Sequence, residues 1–193
     1  MPKTREINAV VIGASAGGLY ALKKLLPALP ATFPCPILVV QHISPKSDNY
    51  LTKMLNELSE LSVKEADEKE PILPGTVYIT PPDYHMLVES DFTLSFSMEE
   101  KVNYSRPSID VLFETAADVY GPHLLGIILT GANADGAFGL LAVKKRGGYT
   151  IVQHPDDAES PSMPRAAINT AKPHKILALN EIIDFLLHTK FCR

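Results

Sequence analysis

VVIGASAGGLYALKKL, residues Val10 to Leu25, decides the fold. An apolar run ends in the small-residue turn Gly13-Ala14-Ser15-Ala16-Gly17-Gly18, and apolar residues at helical spacing follow. A short buried strand, a tight turn and a helix in that order open an α/β unit. The same turn also poses a functional question. Its glycines suit a phosphate cradle, and its serine suits a nucleophile held at a strand end.

The pattern repeats along the chain. Ala9 to Ile12 and Pro36 to Gln41 read as buried strands, and Leu19 to Leu29 reads as a helix ended by Pro27 and Pro30. Tyr50 to Leu61 is amphipathic, with Leu51, Met54, Leu55 and Leu58 on one face. Between Val63 and Phe96 short alternating runs separated by turn residues predict a small antiparallel insert. Alternation then resumes. Ser108 to Tyr120 is helical, with Ser105 or Ser108 as its cap and Pro107 in its first turn. Leu124 to Leu129 is a strand, and Gly136 to Lys145 is a helix stopped by Gly147-Gly148. Tyr149 to Gln153, Pro164 to Thr170, Lys175 to Leu179 and Glu181 to Leu187 read as strand, helix, strand and helix. Strands alternating with helices imply right-handed crossovers. The expected fold is α/β, a mainly parallel sheet flanked by helices on both faces in a Rossmann-like three-layer arrangement, with a short antiparallel pair.

The 193 residues, 46% of them hydrophobic, suit a single domain spanning residues 1–193. A net charge of −4 with both signs interspersed gives no basic footprint for a nucleic acid. Cys35 and Cys192 are far apart and form no metal spacing, which suits a reducing compartment. The first apolar run is too short for a signal sequence or a membrane span, so a cytoplasmic protein without membrane insertion is expected.

Ligands of open parallel sheets bind beyond the carboxyl ends of the strands. Ser15 follows the first run, His42 the second, and Thr130 and Asp135 the third. A serine, a histidine and an aspartate thus reach one edge of the sheet, the set needed for a nucleophile, a base and an orienter. A serine hydroxyl is a weak nucleophile until an imidazole takes its proton, and the imidazole needs an acceptor on its other nitrogen. Ser15 also fits G-x-S-x-G, with the Ala16 N–H at the helix start as an oxyanion donor. The order Ser, His, Asp differs from that of the α/β-hydrolases.

Other readings compete at each position. Ser15 suits a helix cap, His42 a structural strand-end histidine, and Asp135 a cap of the helix starting at Gly136. The phosphate reading lacks a middle glycine, where Ser15 stands, and no P-loop motif occurs. His154, after the Tyr149 to Gln153 strand, competes with His42. His85 reads as a turn histidine, and His123 and His174 precede strands at the opposite edge. Arg106 and Arg165 are candidates for substrate binding or for pinning loops. Neither metal-ligand spacing nor a cofactor motif is found.

VIGASAGG, VVQHIS, LPGTVYITPPDYHM, RPSIDVLF, LTGANADGAFGLLAVKKRGGYTIVQ and MPRAAI, in order from about Ala9 to Leu186, resemble the catalytic domain of the chemotaxis protein-glutamate methylesterases of CheB type. The resemblance implies hydrolysis of glutamate methyl esters on the cytoplasmic helices of chemoreceptors, with release of methanol, and in many members deamidation of receptor glutamines. It implies no cofactor. It maps the triad onto Ser15, His42 and Asp135, selecting His42 over His154, and the oxyanion donors onto backbone N–H groups at Ala16 and Ala132. The implied partners are a methyl-accepting chemotaxis receptor, and a methyltransferase or separate receiver domain. The chain departs from the family's usual GAST turn at Ala16, and from TGMGNDGA at Ala132 and Ala134. Ser162 stands where GMPR has its glycine. The receiver domain that many members carry before the catalytic domain is absent from this chain. A degenerate docking module of the same fold, and an esterase for another acyl substrate, are the alternative functions.

Overall fold

A computed structural model describes residues 6–42 and 50–189. Cys192 lies outside the described residues. In chain order the elements are β1 (Ala9–Ala14), α1 (Gly18–Leu25), β2 (Ile37–Gln41), α2 (Tyr50–Leu58), β3 (Ser62–Glu65), β4 (Thr76–Ile79), β5 (His85–Val88) and β6 (Leu94–Ser97). They continue with α3 (Ile109–Tyr120), β7 (Leu124–Ile128), α4 (Ala137–Lys145), β8 (Tyr149–Gln153), α5 (Ser162–Ala171), β9 (Lys175–Leu177) and α6 (Leu179–His188). Seven strands form one parallel sheet in the order β3-β4-β2-β1-β7-β8-β9.

The central strand β1 pairs with β2 on one side, Val10 opposite Ile37, and with β7 on the other, Val10 opposite Leu125. Its side chains alternate between two apolar layers. Val10, Ile12 and Ala14 join Leu22 and Leu25 of α1, Leu55 of α2 and Ile182 of α6. Ala9 and Val11 join Leu112 and Phe113 of α3, Leu140 of α4 and Met163 of α5. Both faces of the sheet are covered, which is why the central strands read as unbroken apolar runs.

The middle of the chain differs from the sequence-based expectation. Residues 63–96 are not all antiparallel: β3 and β4 pair parallel to each other and to β2, extending the main sheet. The antiparallel strands are β5 and β6, from His85 opposite Ser97 to Val88 opposite Leu94, with an isolated antiparallel bridge between Pro71 and Thr93 beside them. Alternation reports a half-exposed strand and carries no information about the direction of its neighbour. Strand β3 lies at the sheet edge and the β5–β6 ribbon covers the second layer through Met86, Val88 and Leu94, so the two share one pattern. The first helix is also shorter than its periodicity suggests. It passes into a 3-10 turn over Leu26–Ala28, where Pro27 sits.

The chain runs from β1 through α1 to β2 on one side, and from β7 through α4 to β8 on the other. The crevice between the carboxyl ends of β1 and β7 is therefore the switch point at which such sheets place ligands. Gly13 shapes this point. A Cβ there would stand 2.4 Å from Ile109 Cγ2, so the bare Cα lets α3 begin directly against the end of β1.

Candidate functional site

Ser15 leaves β1 in a turn held by backbone groups. Its N–H donates to Thr130 O (3.0 Å), and its carbonyl accepts from Gly18 N (2.8 Å) and from Gln41 Nε2 (2.9 Å). Gly17, at φ 78°, precedes α1 in a left-handed conformation that favours glycine. The Ser15 side chain makes no capping bond to α1, and its hydroxyl has no hydrogen bond among the described residues. The helix-cap reading of Ser15 is thereby corrected: the N-cap is Gly17 and the turn is closed by main chain.

His42 follows β2, and its N–H donates to Ala14 O at 3.0 Å, which fixes it beside the serine turn. Its Nε2 lies 2.9 Å from Asp135 Oδ2, with side-chain exposures of 13% for His42 and 0% for Asp135. The other ring nitrogen, Nδ1, faces Asn133 Nδ2 at 3.4 Å. His154 lies elsewhere: its Nδ1 accepts from Asp156 N, and the residue is exposed beyond β8. Among the described residues, His42 is the histidine that pairs with Asp135.

Asp135 caps a helix, but a different one from the helix its sequence position suggests. The N-cap of α4 is Gly136, without a side-chain bond. The Asp135 carboxylate instead accepts from the start of α3: Ile109 N to Oδ2 at 2.7 Å, and Ser108 Oγ and Asp110 N to Oδ1 at 2.8 and 3.2 Å. Ser108 therefore serves Asp135 rather than its own helix. Burial works to raise the Asp135 pKa. The His42 ring, the Ile109 N–H and the Ser108 hydroxyl outweigh it and hold the carboxyl below its ordinary value, ionised.

A second buried carboxylate stands behind the first. Asp110 Oδ1 accepts from Gly139 N, and Asn103 Nδ2 donates to Asp110 Oδ2 at 2.8 Å and to Asp135 Oδ1 at 3.4 Å. Burial pushes the Asp110 carboxyl up to about 6, against the Gly139 bond and with the Asp135 and Glu114 charges adding to it. Asn103 and Tyr104, both at positive φ, turn the chain so that Val102 and Ser105 exchange backbone hydrogen bonds. This turn brings Ser105 Oγ within 3.4 Å of Asn133 Nδ2 and leaves Tyr104 97% exposed at its tip.

The N–H groups of Ala16 and Ala132 make no hydrogen bond among the described residues, and both residues are exposed at the crevice. Arg106 is engaged elsewhere. Its guanidinium binds Asp83 Oδ1 (2.9 and 3.1 Å) and the carbonyls of Met98 and Glu99, an arrangement that pins a loop. Arg165 is exposed and has no ion pair among the described residues. His85 is buried, with Nδ1 accepting from Ser108 N and Nε2 beside Glu100 O, so it supports the segment that feeds α3. His123 and His174 bond to Glu6 O and Thr150 Oγ1, away from this edge. Among the described residues, no three His, Cys, Asp or Glu side chains group as metal ligands, and no helix is long and apolar enough to cross a membrane.

Asn103, Ser108, Asp110 and Asn133 are absent from the sequence-derived site. Ser108 is readable in the sequence only as a cap, and Asp110 carries no signal beyond its place in the first turn of α3. Asn103 and Asn133 carry no motif, because loop geometry alone brings them to the triad candidates.

Residues 10–186 match the family model described as CheB methylesterase. A protein of Leptospira interrogans is 51% identical over 180 residues, covering 93% of each chain. The protein-glutamate methylesterase/protein-glutamine glutaminase 1 of Carboxydothermus hydrogenoformans is 41% identical over 91% of this chain, which spans only 53% of that longer protein. The crystal structure of the Thermotoga maritima CheB methylesterase catalytic domain superposes with a TM-score of 0.91 at 34% identity, covering 94% of this chain and 98% of that one.

Proposed function

The chain belongs to the CheB methylesterase family, and from that premise we propose that it is a serine esterase hydrolysing glutamate methyl esters on the cytoplasmic helices of chemoreceptors, with release of methanol. Deamidation of receptor glutamines at the same site is the second reaction suggested by the names of its relatives. The match over residues 10–186 and the single parallel sheet support one catalytic unit. A separate receiver domain is a proposed partner, and relatives about twice this length leave room for one.

The observation that carries the reading is the His42–Asp135 pair at 2.9 Å, held beside the serine turn by the His42 backbone N–H on Ala14 O, the carbonyl just before Ser15. In the neutral form a base needs, the His42 ring donates from Nε2 to Asp135 and leaves the Nδ1 lone pair for the serine proton. Ser15 Oγ attacks the ester carbonyl as its proton passes to Nδ1. The tetrahedral oxyanion is met by the unused N–H groups of Ala16 and Ala132. The methoxide leaves as methanol with the proton from Nδ1, and Asp135 stays ionised throughout. Water, deprotonated by His42, then cleaves the acyl-enzyme and frees Ser15.

Exposed apolar side chains around the crevice support a macromolecular substrate. Leu19 and Tyr20 flank the serine turn, Phe138 follows Asp135 on α4, and Tyr104 caps the turn at Asn103. Methanol release from methylated receptor membranes tests the proposal. The Ser15→Ala protein should release none above the uncatalysed rate, and unchanged turnover would remove the nucleophile assignment.

A further inference from the structure

We infer that Asn133 is a positioning residue that occupies the base nitrogen of His42 in the resting site and yields it to Ser15 when substrate binds. The inference rests on the serine-esterase reading. Its geometry is independent of that reading.

Three bonds define the position of Asn133. Its Oδ1 accepts from Asp135 N at 3.2 Å, closing a turn within its own loop. Its Nδ2 carries two protons, one toward His42 Nδ1 and one toward Ser105 Oγ, each at 3.4 Å. A single amide therefore joins the histidine, the orienting aspartate's loop and the turn that carries Asn103. Nitrogen Nε2 is already committed to Asp135, so Nδ1 is the atom that must receive the serine proton. Nδ1 has one lone pair in the ring plane and accepts one strong hydrogen bond at a time. The Asn133 amide holds it at a distance longer than a normal N–H···N bond, close enough to orient the ring and weak enough to exchange.

The chain therefore carries, in Asn133, an internal competitor for its own base.

Two substitutions separate the competing role from the role in the loop. Asn133→Ser keeps an oxygen for Asp135 N but is too short to reach the imidazole. Asn133→Asp keeps the length and the turn but puts an anionic acceptor against Nδ1. Among the described residues, the charged groups around the ring are Asp135 directly, with Asp110 behind Asn103 and Glu114 beyond it. None of these changes in either variant.

The experiment measures labelling of Ser15 by a small fluorophosphonate, with imidazole ¹⁵N spectra of the same folded proteins. Losing a competing hydrogen bond is worth roughly three- to tenfold in rate, so Asn133→Ser should label faster than the parent by that factor at neutral pH. Asn133→Asp should label about tenfold more slowly or worse, with the Nδ1 signal shifted from the parent's toward that of a hydrogen-bond donor. Parent labelling rates in both variants, with unmoved ring signals, would overturn the inference and leave the esterase reading intact. A parent protein that takes no label at Ser15 overturns the esterase reading, and the ring signals then judge the contact with Asn133 alone.

Discussion

Ile109 N lies 2.7 Å from Asp135 Oδ2, the same oxygen that holds the His42 ring at 2.9 Å. The candidate orienter is thus also the N-terminal cap of α3, and helix and site share one carboxylate. Asp135→Asn should cost on the order of a thousandfold in turnover, because a neutral amide neither fixes the ring tautomer nor stabilises the imidazolium. It should also destabilise the fold by roughly 1–3 kcal/mol, since a buried acceptor is lost from the helix start. The pH dependence has a definite sign. The Asp135 pKa is depressed on folding, so its stabilisation is present above the ordinary value of 3.8 and is lost as pH falls through its lowered folded value. Thermal unfolding of parent and variant should differ most at neutral pH and converge in strong acid.

Asp110 titrates with the opposite sign. Its carboxyl is raised to about 6 in the fold from 3.8, so the folded state holds a proton that the unfolded state has released between those values. Stability falls as pH rises through that window. Asp110→Asn removes the effect while keeping an oxygen for Gly139 N. Relative to the parent, the variant should gain up to about 2–3 kcal/mol as the pH is taken from 4 to 7, read by urea unfolding at each pH. A difference independent of pH would mean that Asp110 is not the titrating group.

Much of this was legible in the sequence, and for a physical reason. Strands buried on both faces leave continuous apolar runs, and the polar residue that ends each run is by topology at the ligand-binding edge. Ser15, His42 and Asp135 are placed at that edge by this pattern alone. The helix that Asp135 caps is not. Gly136 follows it directly and suggests α4, while the true recipient begins at Ile109, a contact 26 residues distant that only packing creates. The direction of β3 and β4 was hidden for a similar reason, since period-two burial is the same in either orientation. Asn103 and Asn133 lie in loops whose path is set by positive φ angles and by neighbours, and single polar residues in such loops leave no periodic trace.

Gly13 transmits packing to the site. Any side chain there meets Ile109, whose N–H binds Asp135. Gly13→Ala should destabilise the fold by about 1–3 kcal/mol through overpacking. It should also lower turnover at temperatures where the protein remains fully folded, because pushing back the start of α3 moves the Asp135 carboxylate away from His42. Circular dichroism melting and methanol release on the same sample separate the two effects. Full activity in a destabilised variant would show that α3 can shift without carrying Asp135 with it.

Tyr104 distinguishes recognition of a protein from hydrolysis of an ester. Its ring is 97% exposed at the tip of the turn whose Asn103 reaches Asp135. A large aromatic side chain that covers nothing in its own fold is well placed to bury area against a partner. Tyr104→Ala keeps a turn whose backbone bonds join Val102 and Ser105, although alanine at a φ of 64° is mildly strained. If the crevice receives a receptor helix, the variant should show a KM for methylated receptor raised by roughly tenfold, the scale of a modest aromatic contact. Its kcat/KM for a small methyl ester should stay within about twofold, because no contact of the ring with the reacting groups is lost. Tyr104→Asn, which tolerates the left-handed backbone better, controls for the strain and should show the same split. Equal losses on both substrates would place the effect in the triad geometry and not in docking.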